Sequence, residues 1–282
     1  MKNNNYLILL FILVLVFIFL KKDKKNKKDK KNKKSSFGKS VNVGVIALMY
    51  KPKNVESWLE LHRSFGISHF YIRLEDTPEL IDYLQSQPDV TLMVASSDKD
   101  KNQYLTLQTR QIETVDKVLK MCKNEIDWLI HIDCDEILSG NINEIKNLPE
   151  SVGTFWMQNI EAVYDGIPGA SDSCFEAKYY KDCGDSDSNC VSYVNGKGGG
   201  RTTSDVNCNG PHRFKSNRDE VKINVVVKHY ESCDFDQYLK KYSRLKNGVN
   251  LESIPFSYYR ESIMASGSKD KLEDVYKKYR VA

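Results

Sequence analysis

The stretch Asp127-Trp128-Leu129-Ile130-His131-Ile132-Asp133-Cys134-Asp135-Glu136-Ile137-Leu138 limits what this chain can fold into more than any other. Its apolar run reads as a buried strand, and the strand ends at two carboxylates one residue apart with a third directly after. Side chains alternate across a strand, so Asp133 and Asp135 share a side wherever strand geometry persists. Carboxylates crowded at the exit of a buried strand repel one another and resist desolvation. A divalent cation relieves that repulsion, and Mg²⁺ or Mn²⁺ takes oxygen ligands that it shares with substrate phosphates. The expectation is a metal-bridged phosphate at the carboxyl edge of an α/β sheet, where ligands of such sheets bind. The competing reading is a strand that ends in a solvated acidic turn.

The N-terminal region is of another kind. After a polar flank over residues 1–5, an unbroken apolar run covers residues 6–20. At helical rise this run spans roughly 22 Å, short of the ~30 Å hydrocarbon core, and flanking lysines can snorkel to make up the rest. No small-residue cleavage site follows, so the run reads as an uncleaved single-pass membrane anchor. Residues 21–40 are rich in Lys and read as a disordered tether. Residues 1–34 hold 11 Lys and 2 Asp, a net +9, against +4 for the whole chain; residues 35–282 therefore carry −5. A mildly acidic folded part argues against nucleic acid as a partner. Positive charge after the anchor favours the cytosolic side. Of seven cysteines, five fall between Cys174 and Cys233, and disulfides among them would instead imply an oxidising lumen. With no C-x-x-C pair, a zinc ribbon is not expected.

Residues 41–282 suffice for one large domain with a real core. Its first half, 41–140, alternates strands and helices. Strands are predicted at 43–49, 69–74, 90–95 and 128–132, with helices at 55–65, 78–84 and 104–121. That alternation implies a mostly parallel, doubly wound Rossmann-type α/β sheet with helices on both faces. The second half, 141–282, is irregular. Strands are predicted at 154–163 and 221–229 and helices at 235–245 and 269–279, while 164–209 reads as loop. Trp58, Trp128 and Trp156 are expected in the core. Gly198-Gly199-Gly200 would permit close approach of backbone to a ligand, or form a loose turn.

The order of these segments resembles the GT-A glycosyltransferases, in particular their family 2-like and family 92-like branch. Three stretches carry the resemblance: Asn54 through Ile72, with its Glu, Trp, His and Gly; Trp128 through Leu138; and Asn195-Gly196-Lys197 with Gly210-Pro211-His212-Arg213-Phe214 and His229-Tyr230. The pattern departs after the second strand, where Glu75-Asp76-Thr77 stands in place of an Asp-Asn pair. The resemblance implies a nucleotide-sugar donor, often a UDP-sugar, with Mn²⁺ or Mg²⁺, and a glycan, protein or lipid hydroxyl as acceptor. It implies Asp133, Asp135 and His229 as metal ligands, supported by Glu136. Asp76, Lys197, Arg201 and His212 would contact the donor, with Arg213 in reserve. By analogy the anchored enzyme would face the lumen, against the charge rule. An inverting reaction also needs a carboxylate base, for which Glu161, Asp165 and Asp205 are candidates. The alternatives are a D-x-D phosphohydrolase and a membrane-tethered carbohydrate-binding protein without activity.

Overall fold

The computed structural model describes residues 40–97, 103–169, 173–182, 194–245, 251 and 256–282. The chain divides after Ser40, and the second unit is Val41–Ala282. The flank 1–5, the anchor 6–20 and all of the tether but Ser40 lie outside the described residues. Among the described residues no helix is long and apolar enough to cross a membrane. The longest, Gln103–Met121, carries Arg110, Glu113, Asp116, Lys117 and Lys120. The single-pass membrane placement, and the membrane as a partner, are therefore withdrawn.

In chain order the elements are β1 (Val43–Tyr50), α1 (Val55–Phe65), β2 (His69–Glu75), a 3₁₀ turn (Pro78–Leu80), α2 (Ile81–Gln85), β3 (Val90–Ala95) and α3 (Gln103–Met121). Next come β4 (Trp128–His131), β5 (Glu136–Ser139), α4 (Asn143–Lys146), β6 (Val152–Val163), β7 (Tyr179–Asp182) and β8 (Lys197–Arg201). The chain continues through β9 (Asn207–Cys208), β10 (Phe214–Lys215), β11 (Asp219–His229), α5 (Phe235–Leu245), α6 (Ser257–Ala265) and α7 (Lys269–Arg280). One large sheet runs β3-β2-β1-β4-β8-β6-β11-β5, with β7 beside β6; β9 and β10 form a separate ribbon.

The pairings β1–β2, β2–β3, β1–β4 and β6–β11 are parallel. Those of β8 with β4 and β6, of β11 with β5 and of β6 with β7 are antiparallel. The expectation of a mostly parallel sheet thus holds only for the first half. Crossover helices enforce parallel pairing there. Beyond β4, long loops return strands in either direction.

Helices do cover both faces of the parallel part. Val43, Val45, Ala47 and Met49 of β1 share a core with Val55, Trp58 and Leu59 of α1. Ile46 points the other way, to Val115, Val118 and Leu119 of α3. Helix α1 forms because Val55, Trp58, Leu59 and His62 repeat at helical spacing, and it stops at Gly66, where φ is 110°. Burying Leu59 completely contributes about 2 kcal/mol by its area alone. Trp58 and Trp128 lie in the core as expected. Trp156 does not: half-buried, it carries Arg213 and Lys222 over its ring at 4.8 and 4.7 Å.

The glycine run is not a loop but most of β8, paired with β4 on one side and β6 on the other. A Cβ on Gly199 would enter the Phe155 ring, and one on Gly200 would lie 2.7 Å from Val206 and 2.9 Å from Phe214. The glycines serve packing against aromatic neighbours rather than approach to a ligand. Cys174 and Cys233 form a disulfide. Cys122, Cys134 and Cys208 are free thiols, and Cys183 and Cys190 lie outside the described residues.

Candidate functional site

Strand β4 ends at His131, one residue before the predicted boundary, and residues 132–135 turn directly into β5. The alternation that would set Asp133 and Asp135 on one side therefore stops short of both. The turn closes on itself: Glu136 N–H donates to Asp133 O at 3.2 Å, and Asp133 N–H donates to Glu136 Oε2 at 2.7 Å. Its far end is tied to β11, where Tyr230 N–H donates to Asp135 O at 2.8 Å and His229 pairs with Glu136 across the strands. Trp58 Nε1–H donates to Glu136 O at 2.9 Å, anchoring β5 to α1.

The two aspartates take separate partners. Asp133 Oδ1 accepts from Gln111 Nε2 at 2.9 Å, and its Oδ2 accepts from Lys197 Nζ at 2.5 Å. The Lys197 ammonium, fully buried, also lies 3.4 Å from Glu136 Oε2. Burial opposes charge on Asp133, but Lys197 outweighs it and holds the carboxyl well below the usual range. Burial opposes charge on Lys197 too, and there Asp133 and Glu136 outweigh it and raise the amine. Glu136, wholly buried, is pushed up to about 7 by its burial against the pull of Lys197. Two imidazoles stand close by. His131 Nδ1–H donates to Pro211 O at 2.9 Å, and burial lowers its pKa to about 4. His212 Nδ1–H donates to Gly196 O at 2.9 Å, and burial lowers it to about 3. Both are neutral rings at ordinary pH.

Asp135 heads a chain of alternating charges. His229 Nε2 lies 3.6 Å from Asp135 Oδ2, and His229 Nδ1–H points at Glu161 Oε2 and Oε1 at 2.9 and 3.0 Å. Glu161 also accepts from Asn159 Nδ2 at 2.7 Å and from Arg280 at 3.1 Å. Arg280 reaches on to Glu231 at 2.7 Å, and Glu231 accepts from Lys241 Nζ at 2.6 Å and Tyr242 O–H at 3.1 Å. Burial opposes a proton on His229, but Glu161 and Asp135 at its two nitrogens outweigh that and raise it well above its ordinary value. Burial likewise opposes charge on Glu231, and Lys241 with Arg280 brings it down to about 2.

A cleft of about 150 Å³ opens beside Asp135. Its walls include Lys51, Lys53, Lys241, Tyr230 and Glu231, with the Cys174–Cys233 disulfide on the rim. Asp135 keeps 35 % of its side chain accessible there. Glu231 is taken up by its cations, which leaves Asp135 as the open acid of the cleft wall.

A divalent ion requires open carboxylate oxygens. Both oxygens of Asp133 are engaged, one by Gln111 and the other by Lys197. Among the described residues no three His, Cys, Asp or Glu side chains come together as a metal site. The expected trio of Asp133, Asp135 and His229 does not fit Mn²⁺ or Mg²⁺ in this arrangement.

The remaining candidates lie elsewhere. Arg201 donates to the carbonyls of Leu148, Pro149 and Val152 and stacks over Trp128 at 4.3 Å, so it clamps strands. Arg213 donates to His212 O at 3.0 Å and covers Trp156. Asp76, at φ 46°, accepts from Ser97 at the edge of β2. Of the proposed bases, Asp165 pairs with Lys178 at 3.1 Å in solvent and Asp205 with Arg218 at 3.1 Å. Glu161 is locked between His229 and Arg280. None of the three lines the cleft. The sequence reading missed Gln111, Glu231, Lys241 and Arg280. Only Glu231, two residues beyond His229, stood close enough to a recognised motif to be found.

No protein-family model and no curated protein matches the chain. Solved structures are similar over parts of it. Rv0371c from Mycobacterium tuberculosis is 8% identical over 44% of this chain and 68% of its own, with a TM-score of 0.31. Its manganese complex scores 0.30 at 8% identity, over 45% of this chain and 68% of its own. A protein assigned as a glucose-1-phosphate thymidylyltransferase from Bacillus anthracis, in complex with a sucrose, is 10% identical over 85% of each chain, at 0.29. HddC from Yersinia pseudotuberculosis is 9% identical over 68% of this chain and 79% of its own, also at 0.29. Scores at this level identify neither a family nor an activity.

Proposed function

We propose that the chain is a GT-A-type glycosyltransferase that moves a sugar from a nucleotide-sugar, a UDP-sugar in the first instance, to a hydroxyl of a glycan or glycoconjugate. One observation carries the reading. Asp135 stands open in a cleft at the carboxyl edge of the parallel strands β3-β2-β1-β4, where ligands of α/β sheets bind.

The reaction is a displacement at the anomeric carbon. The acceptor oxygen bonds to that carbon, the bond to the diphosphate breaks, and the acceptor proton passes to Asp135 as general base. His229, behind Asp135, holds the carboxylate in place. Negative charge growing on the departing diphosphate is met by Lys51 on the cleft wall. Asp76, at the next strand edge, contacts the nucleoside.

The test is a panel of nucleotide-sugars offered to the full chain with simple sugar acceptors, scoring release of the nucleoside diphosphate. Release from one donor is expected, and Asp135→Asn should lower kcat by about 10²–10⁴-fold, the usual worth of a general base, with the fold intact by circular dichroism. Turnover unchanged in that variant, or no release from any donor, would overturn the reading.

A further inference from the structure

We infer that Lys197 is the built-in counter-cation of the acidic turn, seated where a divalent ion would otherwise bind, and that the turn is thereby closed to Mn²⁺ and Mg²⁺. The turn gathers Asp133, Asp135 and Glu136 within four residues. Uncompensated, three carboxylates there would be costly to bury. The Lys197 ammonium lies between two of them, 2.5 Å from Asp133 Oδ2 and 3.4 Å from Glu136 Oε2. No part of its side chain is exposed.

Its position is set by backbone. Lys197 opens β8 opposite Met157 of β6. The residue before it, Gly196, has φ 58°, and any Cβ there would run into the Met157 carbonyl. Gly196 N–H donates to Asn159 Oδ1 at 3.1 Å, and its carbonyl accepts from His212. The strand start is held on three sides, so the ammonium is not a surface charge that happened to fold inward.

A cation entering the turn would have to take Asp133 Oδ2 from Lys197 and leave a buried ammonium with one partner fewer. Breaking a buried ion pair in this way is strongly unfavourable. Asp133 Oδ1 is no easier to reach, being bonded to Gln111. Asp135, whose Oδ2 faces His229, is the one acid of the turn that Lys197 does not pair with, and one carboxylate does not make a site for either metal.

The experiment needs no sugar donor, so it stands apart from the transfer reading. The full chain is titrated with MnCl₂ by calorimetry, and its thermal unfolding is followed with MnCl₂ and with EDTA. Lys197→Met is measured beside it, with Lys197→Arg as the charge-keeping control. The wild type should give no saturable heat and the same Tm in both solutions. Lys197→Met should show a lowered Tm that Mn²⁺ raises again, while Lys197→Arg should behave as the wild type. Saturable Mn²⁺ binding by the wild type, or a Tm that falls in EDTA, overturns the inference; so does a folded Lys197→Met variant indifferent to the metal. The wild-type titration decides the matter where Lys197→Met fails to fold.

Discussion

A neutral imidazole at position 62 ties α1 to β5. His62 Nδ1–H donates to Trp58 O at 2.8 Å, and its Nε2 accepts from Leu138 N–H at 3.2 Å, so both nitrogens are used only when the ring carries one proton. Burial lowers its pKa to about 4. The unfolded chain takes that proton near pH ~6.5 while the folded chain resists it, so stability is whole above pH ~6.5 and drains away as pH falls toward ~4. The loss amounts to about 3 kcal/mol at full protonation. Urea unfolding at neutral and mildly acidic pH should show this slope, and His62→Gln should flatten it; an unaltered slope in the variant would assign the loss to other groups. The sequence shows His62 on the buried stripe of a helix, but not its second bond, because Leu138 lies 76 positions away. Lys197 was obscure for the same reason. Its sequence neighbours are glycine and asparagine, which look like loop, and the acid that defines it is 64 positions upstream.

At the scale of elements, local pattern was enough wherever a segment makes its own face. The predicted ranges of α1, β3 and α5 coincide with those observed, since each carries its apolar spacing within a few residues. Strand β8 lacks that signal. Glycine has little strand preference, and what makes Lys197–Arg201 a strand is the pair of neighbours on either side. Strand β5 was hidden by its shortness and by the acids before it. The left-handed start of β8 leads to a sharp expectation. Gly196→Ala should either fail to fold or lose several kcal/mol, because strain at positive φ adds to a backbone collision. Soluble yield and the urea midpoint measure this directly. A variant as stable as the wild type would mean that β8 begins elsewhere.

For the molecule as a whole, the disulfide joins the segment before β7 to the turn before α5. Cys174 and Cys233 are 59 positions apart, and their bridge lies on the rim of the cleft. Closing a loop of that length in the unfolded chain is worth about 4 kcal/mol on the chain-entropy account. Cys174→Ser should therefore lower Tm under oxidising conditions and abolish the response of Tm to reductant. A reductant response that survives the substitution would point to a different thiol pair. The crowding of cysteines after position 174 announced such a bridge, but the choice among five partners rests on how α5 and the preceding loop meet. The alternating first half was likewise legible, whereas the antiparallel second half was not, since long returns carry no sign of direction.

The irregular pairing of β11 with β6 has a consequence of its own. Lys222 stands opposite Trp156, and four residues later Val226 stands opposite Gln158, two places on. From Val226 to His229 the ladder is regular on both flanks. Slack is thus stored at the outer end of the strand, upstream of the histidine that faces Asp135. Insertions or deletions before position 223 can be absorbed there over evolutionary time, while the same change after position 226 would slide His229 off both acids at once.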